Sequence, residues 1–213
     1  MKFASGIDPK YVKSVEDAFA TIIAKGDDDQ KHRANEIMAS DMLIRVQPVK
    51  DINGSGVTGL IDSRHTNKRL RGDRINLRDA LGEVYISIAN ETIDTGFQQG
   101  CEGTFVHESR HAWDFAQTIE SYSNRDVNPL DVFNPTLYDL EWEAHQTAGK
   151  YMLQVNIQSY LDEGLSLMIL GKKDNGTYFV DDEGIKKRLR ESYGLALDGD
   201  MGSLASEMMG LNV

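Results

Sequence analysis

Residues 103–114 read GTFVHESRHAWD and impose two demands on one segment. On a helix turning about 100° per residue, Phe105, Ala112, Ala116 and Ile119 gather on one side, while His107 and His111 stand within about 40° of each other near the opposite side. Any fold for this chain must bury the first side and leave the second beside a cleft. Two imidazoles one turn apart can reach one ion, and Glu108 projects to the flank of the pair. There its carboxylate is placed to act on a ligand of that ion rather than to be one.

The rest of the chain supplies the means to bury that helix. Its 213 residues suffice for a single domain with a sizeable core. The apolar residues Val12, Val15, Phe19, Ile22 and Ile23 recur at spacings of three and four, which predicts a helix from Pro9 to about Ala24. Residues 30–39 have helical composition behind an acidic start at Asp27 to Asp29. MLIRVQPV (42–49) and VTGLID (57–62) are candidate strands, the second weakened by its glycine. EVYISIAN (83–90) alternates cleanly and is the best strand in the sequence. The motif helix is expected over 104–121 and a turn-rich stretch over 124–135. A second long helix starts near Pro135–Thr136 and continues with interruptions toward Leu170. A short YFV strand and a charged helix, EGIKKRLRESYG, follow, and the tail after Leu197 is small and weakly patterned. No fixed-period repeat or dividing linker is present.

Charge and composition narrow the function classes. The formal net charge of −11 opposes nucleic-acid phosphates, so no nucleic-acid partner is expected. One basic run, RHTNKRLRGDRINLR (64–78), lacks aromatic residues for base stacking and reads as a solvated loop balancing the acidic remainder. No export signal and no 18-residue apolar run occur, so no membrane partner is expected and the cytoplasm is the default location, with signal-independent secretion open. Cys101 is the single cysteine and is expected to be buried packing.

HESRH is an instance of the HExxH arrangement of zinc peptidases, and catalytic zinc needs a third protein ligand. The metzincin extension requires Gly at 114 and His at 117, where this chain has Asp114 and Gln117. DLEWEAHQTAGKYM (139–152) offers glutamates on the next helix. HESRH followed 30 residues later by ExxA, with a further alanine four residues on, resembles the gluzincin metallopeptidases.

That resemblance implies an α+β, zincin-like fold: a small mixed or antiparallel sheet packed on the motif helix, with a largely helical C-terminal half. It is expected as one domain over 1–213, an N-terminal α/β lobe to about 121 and a helical lobe after it. It implies a Zn2+ cofactor held by His107, His111 and a glutamate, with Glu108 as general base and a protein or peptide as substrate. The third ligand maps to Glu141 in families written ExxA and to Glu143 in the thermolysin-like form. The two lie about 200° apart on the helix, so only one can face the ion. Glu141 is preferred because Leu140, Ala144 and Ala148 then flank it on a packing face. His145, four residues on, would share its face as a supporting group or a competing ligand.

The resemblance also implies that EVYISIAN lines the cleft and pairs with substrate, an interior strand being the alternative. Tyr138 and Tyr122 are candidates for the oxyanion donor. Asp114 could hold a ligand imidazole or be an exposed helix acid, and Trp113 and Trp142 are expected to be helix packing. A zinc metalloendopeptidase is therefore expected. A noncatalytic zincin-like interaction or regulatory domain, or a delivered protease effector, is the alternative.

Overall fold

A computed structural model describes residues 1–124, 126–128 and 131–212, without the side chains of 97–99. The fold is α+β, with a small mixed sheet and helices making up most of the rest. The sheet is built from β1 (Lys2–Phe3), β2 (Leu43–Gln47), β3 (Gly56–Leu60) and β4 (Val84–Ala89) in the order β1-β2-β4-β3. β1, β2 and β4 run parallel, and β3 joins β4 antiparallel, with Thr58 opposite Ile86. β4 is therefore interior, which sets aside its expected role as a substrate-pairing strand. Val84, Ile86, Ile88 and Ala89 are fully buried, as befits a strand covered on both sides. The edges belong to β3 and the two-residue β1. Of the two glycines in β3, Gly59 sits where a Cβ would stand 2.8 Å from the Tyr85 hydroxyl, and this close crossing keeps a glycine-bearing segment in the sheet.

α1 (Pro9–Lys25) and α2 (Asp28–Ala39) precede β2. Asp27 caps α2 by a reciprocal pair with Gln30. α3 (Val49–Ile52) is a single turn after β2. The basic run is not a loop: α4 (Ser63–Leu70) and α5 (Leu77–Leu81) occupy it. Two of its cations pair with carboxylates, Arg69 with the buried Glu83 at 2.5 Å and Arg78 with both Glu36 oxygens, so part of the charge balance read from sequence takes the form of specific pairs.

α6 (Asn90–Ser123) grows straight out of β4 and is 14 residues longer at its start than the motif pattern suggests. It packs on β3, β4, α1, α5 and α7. Phe105, Ala112, Ala116 and Ile119 are all fully buried, as the wheel requires. The turn-rich stretch that follows is described in part, positions 125, 129 and 130 lying outside the described residues.

α7 (Leu137–Val155) starts at a Thr136–Asp139 capping box and ends on Asn156 in the left-handed region, φ 52°. The helical pattern then breaks into α8 (Gln158–Ser166) and a hairpin, β5 (Leu170–Lys172) with β6 (Tyr178–Val180). α9 (Asp182–Arg188) runs into a π-helical turn, Leu189–Tyr193, and α10 (Ala205–Met208) closes the described chain.

The weakly patterned tail turns out to be structural. Leu137 and Tyr138 donate their backbone N–H groups to the carbonyls of Ser203 and Met201, satisfying donors that a helix start leaves orphaned. Ala205, Met209 and Leu211 join the main core. Among the described residues no helix is long and apolar enough to cross a membrane.

Candidate metal centre

The closeness of α6 and α7 decides the site. Ala144 is fully buried and Ala148 nearly so, and small side chains at this crossing let the carboxylate of Glu141 reach the two histidines of α6. His107 Nε2 lies 3.0 Å from His111 Nε2, 3.4 Å from one Glu141 oxygen, and His111 Nε2 lies 3.5 Å from the other. Four donors about 2.0–2.1 Å from a tetrahedral zinc stand about 3.3 Å apart. The two imidazole nitrogens, each with a different Glu141 oxygen 3.4 or 3.5 Å away, lie at separations of that order. Glu141 Oε2 is buried and has no hydrogen-bond partner among the described residues, a costly state that a cation would relieve. Two imidazoles and a buried, unsatisfied carboxylate oxygen are a donor set that suits a divalent cation.

Glu143, about 200° around the helix, is turned away. Its side chain is 45% exposed and pairs with Arg110 at 3.3 Å, whereas that of Glu141 is 12% exposed. The geometry thus favours Glu141 over Glu143.

Electrostatics fit the same grouping. Burial alone would raise the Glu141 pKa, but the neighbouring His107 and His111 outweigh it and hold the carboxyl well below the usual range. Burial would lower the pKa of His111, and Glu141 reverses this to a net rise. His145 differs: burial, reinforced by His107, lowers its pKa to about 3, so it is neutral. It is 3% exposed, its Nε2 lies 3.8 Å from Glu141 Oε2, and neither ring nitrogen has a partner among the described residues. His107, Glu141 and His145 present donor atoms all within 4.8 Å of one another, so among the described residues His145 competes with His111 for the third place.

Glu108 is buried beside the pair at 7% exposure. Thr58 of β3 donates its hydroxyl to Glu108 Oε2 at 2.7 Å, fixing the carboxylate. Gly56 makes this approach feasible, since a Cβ there would stand 2.6 Å from Thr104 Cγ2 and 2.8 Å from Glu108 Cγ. Below the pair, a cavity of about 140 Å³ is lined by Val57, Phe115, Leu137, Leu140 and Met208.

Asp114 follows neither sequence expectation. It is 1% exposed and accepts from Arg110 Nε at 2.9 Å; burial raises its pKa despite that arginine. The expected tyrosines lie elsewhere. Tyr138 stacks on Trp142 within a second apolar cluster, and the Tyr122 hydroxyl accepts from Asn134. Trp113 packs edge-on to His32, so both tryptophans are packing.

The tyrosine that does reach the site is Tyr193. It lines the same cleft as His107, Glu108, Glu141 and His145, and its ring meets that of His145 with centroids 5.9 Å apart. Burial of the phenol, aided by the Glu141 charge, pushes its pKa up to about 12, so it stays a proton donor. Its sequence surroundings read as a charged helix, and the π-helical turn that carries it leaves no signal there. No family model matches this chain, and no curated protein or solved structure is significantly similar to it.

Proposed function

We propose that the chain is a zinc-dependent metallopeptidase of gluzincin type, with the ion held by His107, His111 and Glu141. The observation that carries this reading is the close grouping of His107, His111 and Glu141 with Glu108 fixed beside it, because a purely structural site has no use for a buried carboxylate held next to its ligands. Zinc there supplies Lewis acidity, polarising a carbonyl and acidifying water toward a pKa of about 7. Glu108, oriented by Thr58, takes the proton from the attacking water and delivers it to the leaving amine. Tyr193 donates its hydroxyl proton in a hydrogen bond to the oxygen that gains charge. β3, with its free edge among the described residues, offers backbone groups to an extended substrate.

A second reading has one observation in its favour. His145 supplies a fourth nearby donor, and four protein ligands make a closed, noncatalytic centre. Metal analysis and peptide hydrolysis separate the two. The wild type is expected to hold one zinc, His107→Ala to lose it, and Glu108→Ala to keep it while turnover falls about 10²–10⁴-fold. A wild type that holds no zinc sinks both; one that holds zinc and cleaves no peptide favours the closed centre.

A further inference from the structure

Four cations lie on the segment formed by α9 and the π-helical turn. Lys186 pairs with Glu183, Lys187 with Glu191 and Arg190 with Asp198, as suits a chain whose formal net charge is −11 and whose carboxylates are plentiful. Arg188 is the exception, for among the described residues it lies in no ion pair. Its Nε is buried without a hydrogen-bond partner, and its Nη1 donates only to the Leu167 carbonyl, at 3.5 Å. A guanidinium does not lose its proton in a protein, so the charge cannot be shed and has to be met by something else.

Arg188 and Tyr193 line one cleft of about 620 Å³, which also holds His107, Glu108 and Glu141. Five residues apart on an α-helix, the two side chains would point about 140° from each other. The turn between them bonds five residues back, from the Gly194 N–H to the Leu189 carbonyl, and a turn of that kind brings residues five apart round to one side. The rare helix form thus delivers an arginine and a tyrosine together to the cleft. Leu167 and the buried Ile169 line it as well, and a charge beside such surface is screened less than one in open water. Among the carboxylates of the cleft, Glu108 and Glu141 belong to the proposed centre and Glu163 stands on α8; none of them is paired with Arg188.

We infer that Arg188 reads a carboxylate of the substrate, so that a peptide with its reacting bond at the metal centre sets an acidic side chain or its free C-terminus against the guanidinium. The inference rests on the peptidase reading and narrows it from peptides in general to peptides with a carboxylate at one fixed place. The planar fork of arginine matches the two oxygens of a carboxylate, which gives a direction as well as a charge. The two sources share this chemistry and differ in consequence. A C-terminal carboxylate held there confines cleavage to the end of a chain, whereas an acidic side chain leaves it internal.

The test passes a pool of random dodecapeptides over immobilised, zinc-loaded Glu108→Ala protein and identifies the retained peptides by mass spectrometry. The tightest is resynthesised with each carboxylate changed in turn to its amide, the C-terminus included, and every form is titrated by fluorescence anisotropy. One of these changes should weaken binding at least about 10-fold on the parent and less than about 2-fold once Arg188→Gln is added, and which change it is names the source. Arg188→Lys, which returns the charge without the fork, should give an intermediate difference, and it decides the matter if Arg188→Gln lowers Tm. Losses within about 2-fold for every amide, an equal loss with and without Arg188, or no retained peptide overturn the inference. Arg188-dependent binding of peptides that the zinc-loaded wild type never cleaves supports the inference and removes the peptidase reading; cleavage that ignores the carboxylates does the reverse.

Discussion

Replacing each glutamate of α7 separately tests the third ligand. Glu141→Gln keeps shape and removes a charge that is 12% exposed and within 3.5 Å of both histidines; Glu143→Gln removes one that is 45% exposed and touches Arg110. With zinc at 100 times its dissociation constant, binding stabilises the wild type by about 2.7 kcal/mol. For a chain of this size, about 2–4 °C per kcal/mol makes this a zinc-dependent rise in Tm of about 5–11 °C. Loss of supporting groups around a metal already weakens affinity about 10–100-fold, and loss of a ligand should do at least the latter. In Glu141→Gln the ion is then near its dissociation constant, the stabilisation falls to about 0.4 kcal/mol and the rise to about 1 °C. Glu143→Gln should keep the full rise and, in chelator, lose at most about 1 kcal/mol with its surface pair. Thermal melts of the three proteins with and without chelator decide it. If Glu143→Gln abolishes the zinc-dependent rise and Glu141→Gln preserves it, the assignment of Glu141 is wrong.

Three further outcomes are expected. Gly56→Ala forces a methyl group against Thr104 and Glu108, at about 1–3 kcal/mol for overpacking, so Tm should drop by about 2–12 °C; a shift under 1 °C with unchanged turnover would show that β3 does not clamp Glu108. Tyr193→Phe should lower kcat about 10²–10³-fold on any peptide the wild type cleaves and leave the zinc-dependent rise in Tm intact, and an unchanged kcat removes the tyrosine from the chemistry. Burial, with the charge of Glu102, raises the Cys101 pKa to about 12. The native state therefore keeps a proton that the unfolded chain loses above about pH 9, and stability falls by about 1.4 kcal/mol per pH unit from this group between pH 9 and 12. Denaturant titrations of Cys101→Ala should lack that part of the slope.

What sequence makes legible here is whatever rests on local periodicity. The helical wheel around Phe105 and Ile119, the alternation of β4 and the caps of α2 and α7 all correspond to observed elements. Glu141 could be preferred because Ala144 and Ala148 mark a close helix crossing. Three things depend on distant partners and left no local trace. β4 became interior because β3 pairs with it across the Tyr85–Gly59 crossing, and periodicity does not say which strand takes an edge. The first half of α6 carries glycines and a polar start, which hide a helix held by packing on its neighbours rather than by propensity. Tyr193 faces the cleft through a π-helical turn, and its neighbours Arg190 and Glu191 suggest only a solvated helix.

The tie between residues 201–205 and the start of α7 bears on the timing of synthesis. Chains are made from the N-terminus, so both histidines and Glu141 are translated well before Met201 and Ser203, whose carbonyls hold the first turn of α7. A nascent chain stopped at residue 200 possesses every proposed ligand but lacks the two carbonyls that accept from Leu137 and Tyr138 at the start of the helix carrying Glu141. On the reading proposed above, the centre is thus completed late, after nearly all of the described chain has been made.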